Sequence, residues 1–377
     1  MTGYTQKHGK GWRYRIEFDP NPNGKRKTIS KSGFKKESEA KKALIKKLNE
    51  INDGKYIEDN GLTVEEYLKE WLESYKNNIA LSTYKRYEEF CNSISKGLEE
   101  QELQKLTPVA IQKFYSSLSP GLSNSTILRL HSCFNLALKQ AVAWNMLSSN
   151  PCQFVKPPRP EKKEMKVWDE ETVQDFLAES RGENIYIAIA LALGTGMREG
   201  EICALMWDDV NLKKGEIYVR RSVKKIDGKY IFKEPKTKAS SRRILIANDL
   251  KDILTFHKKK QDRLKEENEQ YKNKDYVCAW DDDGRMFDPA YISAVFPRIV
   301  RKYNEKYKYD KYPIIRFHDL RHTHATLLLL HDVPAKVVSE RLGHSNISIT
   351  LDTYSHVLPS MQQDAAEKLN GLFTKAL

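Results

Sequence analysis

Residues 316–330 read RFHDLRHTHATLLLL. The first nine of them, Arg316 to His324, hold two arginines, three histidines and an aspartate, and they run straight into an apolar segment. Two kinds of chemistry could need such a segment. His318 and His322 have the i, i+4 spacing with which two imidazoles share a metal on one helix face. Arg321 stands between them as a fixed cation that would repel the ion, and no glutamate base occupies the expected place, so no metal is expected here. The Asp281-Asp282-Asp283-Gly284 run lacks the rest of a calcium loop and reads as a turn. Anion chemistry suits the segment better. The planar guanidinium matches two oxygens of one phosphate and keeps its charge at any physiological pH. Paired arginines can also stabilise the charge that develops on the non-bridging oxygens of a displaced phosphodiester without a metal. A second arginine in a special setting exists. Arg198 follows the tight turn Gly194-Thr195-Gly196 and heads a helix in which Glu201, one turn on, can hold the guanidinium. The four leucines after the histidines read as a buried helix that mounts Arg321.

The rest of the chain is consistent with a polyanion partner. The formal charge is +13 over 377 residues, and the excess is uneven. Residues 1–55 carry fifteen lysines and arginines against six acidic residues. A basic module with no accompanying amphipathic apolar face points to nucleic acid rather than a membrane surface. The longest apolar run, Ile185 to Leu193, is about half the roughly 20 residues a membrane helix needs. The N-terminus has no apolar signal segment. The five cysteines are scattered and never in a Cys-x-x-Cys pair. That usage fits a reducing compartment, so the expectation is a cytoplasmic protein without a disulfide framework or a cysteine metal site.

Three regions are expected. In Gly11 to Phe18 the residues Trp12, Tyr14, Ile16 and Phe18 alternate with Arg13, Arg15 and Glu17, the period of a half-buried strand. A second alternating stretch at 25–34 and a helical pattern with Ala40, Ala43, Leu44 and Leu48 on one side complete a small sheet packed by a helix, residues 1–55. Trp12 reads as core rather than a base-stacking residue. Arg13, Arg15, Lys25 and Lys27 are the candidates for phosphate or groove contacts. From 62 to about 143 four helical patterns follow in series, with Thr63 and Glu66 forming a capping box, Ser82 and Ser123 read as caps, and Pro108 at a helix start. This region is all-helical, with Lys85, Arg86, Lys113, Arg129 and Lys139 as candidate DNA contacts. Residues 150–166 carry four of the fourteen prolines and read as a semi-rigid linker. The remainder mixes helices with strand-like stretches at GEIYVRRSV, KYIFKEPKT, SRRILIA and Tyr276 to Trp280. The expected fold class is thus a multidomain chain, mainly α with small antiparallel β-sheets.

At this point the motifs resemble a known family, the tyrosine recombinases, most closely the integrases of phages and conjugative transposons. TGMREGEI (195–202) is similar to its first arginine box, HDLRHTHAT (318–326) to its His-x-x-Arg box, and LGHSNISITLDTYSH (342–356) to its closing box with a histidine and the nucleophilic tyrosine. EPKTKASSRR (234–243) is similar to its lysine-bearing hairpin, and all four occur in the family's order. The resemblance covers nearly the whole chain. It implies an arm-type DNA-binding domain at 1–55, a helical, SAM-like core-binding domain at 62–155, and a catalytic domain at 165–377. It also implies that Tyr354 attacks a DNA phosphate to form a 3′-phosphotyrosyl bond, that Arg198 and Arg321 clamp the non-bridging oxygens, and that His344 adds a hydrogen bond. Lys236 would protonate the leaving 5′-oxygen, with Lys233 and Lys238 close by in the same hairpin. His318 would help take the tyrosine's proton. No cofactor is implied. A free tyrosine has a pKa near 10 and is a poor nucleophile at neutral pH, so the surrounding cations and a base are chemically required. His322, His324, His331 and His356 read as structural or solvent-facing, and Asp319 as fixing Arg321 or a helix start.

The expected partners are double-stranded DNA at core and arm sites and further copies of the chain in a DNA-bound homotetramer. An excisionase or host DNA-bending protein is a possible accessory. The segment MQQDAAEKLNGLFTKAL (361–377) places Met361, Ala365, Leu369, Leu372 and Phe373 on one helical face, which would dock on a neighbouring protomer or within its own chain. Two other function classes fit parts of the pattern: a monomeric type IB topoisomerase, and a non-catalytic DNA-binding regulator. The basic module argues against the first, because a second binding domain bridges two DNA sites. The second would have lost a motif residue, and none is missing.

Overall fold

The computed structural model describes residues 1–20, 26–52, 61–161, 165–233, 241–272, 274–354 and 369. The chain divides into two compact units, Met1–Lys162 and Lys163–Leu377.

The first unit holds two separate apolar cores. Strands β1 (Thr2–His8), β2 (Gly11–Glu17) and β3 (Thr28–Phe34) form an antiparallel sheet in that order, and helix α1 (Glu37–Asn52) packs on one face. Tyr14, Ile16 and Leu44 are the buried centre. Strand β1, whose sequence TGYTQKH has no apolar alternation, escapes sequence reading. It is held by its register with β2, Thr2 opposite Glu17 through His8 opposite Gly11. Trp12 is half-buried at the sheet's end and lies outside that core.

Four helices build the second core: α2 (Val64–Tyr75), α3 (Leu81–Gly97), α4 (Pro108–Leu118) and α5 (Asn124–Ala143). Thr63 and Glu66 close the expected capping box, with Glu66 N donating to Thr63 Oγ1 over 3.2 Å and Thr63 N donating to Glu66 Oε2 over 2.9 Å. Thr107 and Ser123 cap α4 and α5. Ser82 does not cap α3. The helix begins one residue earlier, at Leu81, after Ala80, which offers no side-chain acceptor. Trp71, Tyr67, Phe134 and Ile127 lie fully inside. The linker expected at 150–166 is also partly wrong. Pro151–Phe154 form a 3-10 turn whose Cys152, with Val155, is buried in the helical core, and Asn150 Oδ1 accepts from Cys152 N at 2.9 Å.

The second unit starts with α6 (Glu170–Glu179) and α7 (Tyr186–Thr195). α7 is apolar on all sides and buried almost throughout, so its ends are fixed in the interior. Next come the five-residue α8 (Glu199–Cys203), then β4 (Val210–Asn211), β5 (Glu216–Val219), β6 (Ser222–Ile226), β7 (Lys229–Lys233) and β8 (Arg242–Leu245). GEIYVRRSV is therefore two strands in two sheets, β5 between β4 and β8, and β6 paired with β7 among the described residues. Asp227 and Gly228, both at positive φ, make the two-residue turn that joins β6 to β7. In β8 the burial alternates, with Arg242 and Ile244 inward and Arg243 and Leu245 outward. Helices α9 (Asn248–Glu267), α10 (Pro289–Tyr307), α11 (Asp319–Leu330), α12 (Ala335–Leu342) and α13 (Ile347–Tyr354) follow. The strand expected at Tyr276 to Trp280 is reduced to isolated bridges, Met206 with Tyr276 and Ala279 with Met286. In α11 Leu329 is buried, but Leu330 is 60% exposed, so the leucine run is interior only in part.

Candidate active site

The site is organised by two helix ends. The last carbonyls of an α-helix have no partner within it, and the helix dipole favours cations there. α7 ends at Gly196 with φ +67, and a Cβ at that position would stand 2.6 Å from His324 and Leu342 atoms. Glycine is thus required by both conformation and space. α12 ends at Gly343, φ +68, where Gly343 N donates to Glu340 O and His344 N to Ser339 O, each at 3.0 Å. These are the two bonds of a Schellman cap.

The capping leaves three consecutive carbonyls of the α12 end open, and three arginines take them in turn. Arg242 Nε donates to Arg341 O at 2.7 Å, Arg321 to Leu342 O at 2.8 Å, and Arg198 to Gly343 O at 3.3 Å. Arg321 also donates to Gly196 O at 2.6 Å, which ties the two helix ends together. At α7, Leu193 O meets His324 Nδ1 at 2.6 Å and Gly194 O accepts from Arg341 at 2.9 Å. His324 Nε2 accepts from Arg341 Nε at 3.0 Å, so both ring nitrogens are committed. Burial holds this imidazole neutral, its pKa down at about 3.

Glu201 holds Arg198, as expected, at 2.9 Å through Oε1. It holds more than that. Its carboxylate also accepts from Arg242 at 2.8 and 3.2 Å, and from the backbone N–H of Arg198 at 2.9 Å. Burial opposes the charge of Glu201, but the hydrogen bond and charge of Arg242, with those of Arg198, keep its pKa below the usual carboxylate value. Arg321 is 3% exposed, and burial together with Arg198 lowers its pKa to about 9, which leaves it charged at neutral pH. Asp319 does not engage Arg321. It accepts from Arg316 N, Nε and a terminal nitrogen at 2.8, 3.0 and 2.7 Å, so it fixes the start of α11 and not the buried guanidinium.

Tyr354 closes the site from α13. Its side chain is 1% exposed, and His322 Nδ1 lies 2.7 Å from its hydroxyl. Burial raises the phenol's pKa to about 12, with Arg321 pulling in the other direction. His318 stands exposed just before α11, and its ring meets that of His322 edge-on at 5.2 Å. His344 is half-buried with Nδ1 2.8 Å from Thr350 Oγ1, and burial, reinforced by Arg321 and Arg198, lowers its pKa to about 4. His331 is exposed, 3.3 Å from Glu170. Lys236, Lys238, Lys25 and His356 lie outside the described residues, as does the 361–377 face apart from Leu369.

Arg198, Arg321, His318, His344 and Tyr354 therefore gather around two helix ends although 156 positions separate the first from the last. Three participants escape the sequence reading. Arg242 carried a signal, since the alternation of SRRILIA puts it on the same face as Ile244. Arg341 carried none. His322 was visible only as the second half of a metal-like pair.

The profile of the Phage integrase family matches residues 166–361. The chain belongs to the phage integrase family. Two further profiles match this tyrosine-type site-specific recombinase: the N-terminal SAM-like domain of phage integrases at 63–119 and an arm DNA-binding domain at 3–51. The recombinase is 31% identical to a XerC-like tyrosine recombinase of Caldanaerobacter subterraneus, over 99% of both chains. It is also 31% identical to the ICEBs1 integrase of Bacillus subtilis, over 72% of this chain and 73% of that one. Its fold is similar to that of the Tn1549 transposon integrase, solved in complex with a circular intermediate DNA. The TM-score is 0.72 at 21% identity, covering 82% of this chain and 99% of that one. A lambda integrase dimer bound to a core site is similar with a TM-score of 0.57 at 18% identity, over 94% of each chain. Neither the topoisomerase nor the regulator reading is favoured by these relatives.

The candidate DNA contacts of the recombinase are dispersed. Arg13 and Arg15 are half-buried on β2, with Arg15 3.0 Å from Glu17. Lys27 is exposed beside Phe18, and Lys85 lies 3.4 Å from Glu88. Arg86, Lys113, Arg129 and Lys139 are exposed. Among the described residues no helix is long and apolar enough to cross a membrane.

Proposed function

We propose that this recombinase cuts and rejoins double-stranded DNA through Tyr354. The tyrosyl oxygen attacks a phosphodiester, a 3′-phosphotyrosyl bond forms, and a 5′-hydroxyl leaves. One observation carries the reading. Arg198 and Arg321 each spend a guanidinium nitrogen on neighbouring carbonyls of the α12 end, beside His344. Two cations are thereby held at one place by bonds that do not depend on a ligand, which is the preorganisation a pentacoordinate phosphate needs. Their remaining N–H groups would bind its non-bridging oxygens, and His344 would add a hydrogen bond. Lys236 is assigned as the acid for the leaving 5′-oxygen, since an amine among cations gives up its proton readily. Storage of the bond in the phosphotyrosine lets a new 5′-hydroxyl complete the exchange without an energy source.

The DNA held by the Tn1549 and lambda integrases supports the same substrate class here. The reading extends to an arm-binding role for residues 1–55, a core-binding role for 62–155 and catalysis by 165–377, in a tetramer on DNA that integrates or excises a mobile element. An excisionase or DNA-bending protein would set the direction.

The test uses a nicked suicide duplex carrying the attachment core. The wild-type chain should give a protein-DNA adduct resistant to denaturant, and Tyr354→Phe should give none. An adduct with the phenylalanine variant would remove Tyr354 from the role.

A further inference from the structure

The structure points to an unassigned participant in strand cleavage: we propose that His322 orients the Tyr354 hydroxyl and accepts its proton as the tyrosyl–phosphorus bond forms. The inference rests on the reading of Tyr354 as the nucleophile. It departs from the expectation that His318 does this work.

Among the described residues, the Tyr354 hydroxyl has one hydrogen-bonding partner, His322 Nδ1 at 2.7 Å, within the reach required of a general base. The other candidates near it are otherwise occupied or unsuited. His324 has both nitrogens committed, and His344 spends Nδ1 on Thr350 and, among the described residues, shares no hydrogen bond with the tyrosine hydroxyl. Arg321 is a cation locked between Gly196 and Leu342 carbonyls and has no lone pair to offer. His318 presents its ring to His322 and not to the tyrosine.

The need for a base in contact is severe. At 1% exposure the phenol cannot hand its proton to bulk water, and burial keeps it protonated across the neutral range. His322 in turn is kept neutral. Burial first, then His318 and the Arg321 and Arg316 charges, lower its pKa to about 4, with Asp319 opposing. His344 lies close enough to feel the His322 charge. A neutral imidazole has one acceptor nitrogen; Nδ1 is the one that faces the hydroxyl, and with the ring proton on Nε2 it accepts the phenolic hydrogen. With the phenol so weak an acid and the imidazole so weak a base, transfer before attack is unfavourable. The proton therefore moves in concert. The Oη–P bond forms, the P–O5′ bond breaks, the phenolic proton passes to Nδ1, and the 5′-oxygen takes its proton from the acid on the opposite side. On religation Nδ1 returns the proton to Tyr354. The two rings share one side of α11 but differ in depth: His318 sits at the exposed start, while His322, one turn further along, is half-buried against Tyr354 of α13.

Single-turnover cleavage of the nicked duplex under saturating protein tests this. His322→Gln can hydrogen-bond the hydroxyl but cannot take its proton. It should retain DNA binding and form the adduct about 100-fold more slowly or worse, the usual range for loss of a general base. The rate of this variant should rise with pH above neutrality, because hydroxide must now remove the proton, whereas the wild type stays flat. Added imidazole should restore cleavage to His322→Ala and not to His322→Gln. Cleavage by His322→Gln at close to the wild-type rate would overturn the proposal. So would faster cleavage by His322→Ala, the mark of a latch, or equal slowing of both variants with an unchanged pH profile and no rescue, the mark of a structural residue. Tyr354→Phe run in parallel separates these outcomes from failure of the nucleophile assignment itself.

Discussion

Arg242 is the residue whose removal should be felt most widely at the site. It is 8% exposed, shares the Glu201 carboxylate with Arg198, and caps Arg341 O. Breaking a buried pair from one side leaves the other charge uncompensated, at a cost of about 3–5 kcal/mol. Arg242→Gln should therefore lower the denaturant midpoint of the second unit, and an unchanged midpoint would show that Glu201 finds another partner. The imidazoles make a second prediction. The pKa values of His322 and His344 are lowered to about 4 and that of His324 to about 3, against an ordinary value of 6.5. The unfolded chain therefore binds protons on these groups before the folded one does. Their contribution is complete above the unfolded value and is lost as pH falls through the folded ones. For a fully buried ring such as His324, each tenfold loss of proton affinity on folding is worth roughly 1.4 kcal/mol, and less for the half-buried His322 and His344. Melting temperature, followed from neutral pH down to about 4, should drop over that window. A flat profile would mean that the rings take up protons as readily in the fold as in the unfolded chain.

At the scale of elements, the helix ends decide what is held and where. α7 and α12 point their C-terminal carbonyls at the same cluster, and the side chains that satisfy those carbonyls include Arg198 and Arg321, the two arginines proposed to hold the phosphate. This explains why motif residues were legible while their partners were not. Arg198, Arg321, His344 and Tyr354 stand in contiguous boxes, but the contacts of Arg242 and Arg341 are made across 99 and 147 positions. In the helical region of the first unit, capping can be checked directly. Thr63→Ala removes one side of a reciprocal box and should cost about 1 kcal/mol, whereas Ser82→Ala, inside the first turn of α3, should change stability by less than about 0.5 kcal/mol. Urea titration of both variants decides the matter; equal losses would restore Ser82 as a cap.

At the scale of the molecule, charge and chemistry are separated along the chain. The excess of lysine and arginine is concentrated in residues 1–55, while the catalytic candidates all lie at Arg198 or beyond. Removing residues 1–55 should leave adduct formation on an isolated core duplex intact and reduce the slope of log binding against log salt for arm-containing DNA, since fewer counterions are released. An unchanged slope would deny those residues a DNA contact. What the sequence by itself determined is the local and the periodic: the helix series, the β2 and β8 alternations, the Thr63 box, and the order of the arginine, histidine and tyrosine boxes. Strand β1, the split of GEIYVRRSV between two sheets, the folding of Pro151–Phe154 into the helical core and the pairing of Tyr354 with His322 rather than His318 were decided only in the tertiary structure. Each of these depends on which distant group fills a hydrogen-bond or packing vacancy, and a vacancy has no signature in the residues that neighbour it along the chain.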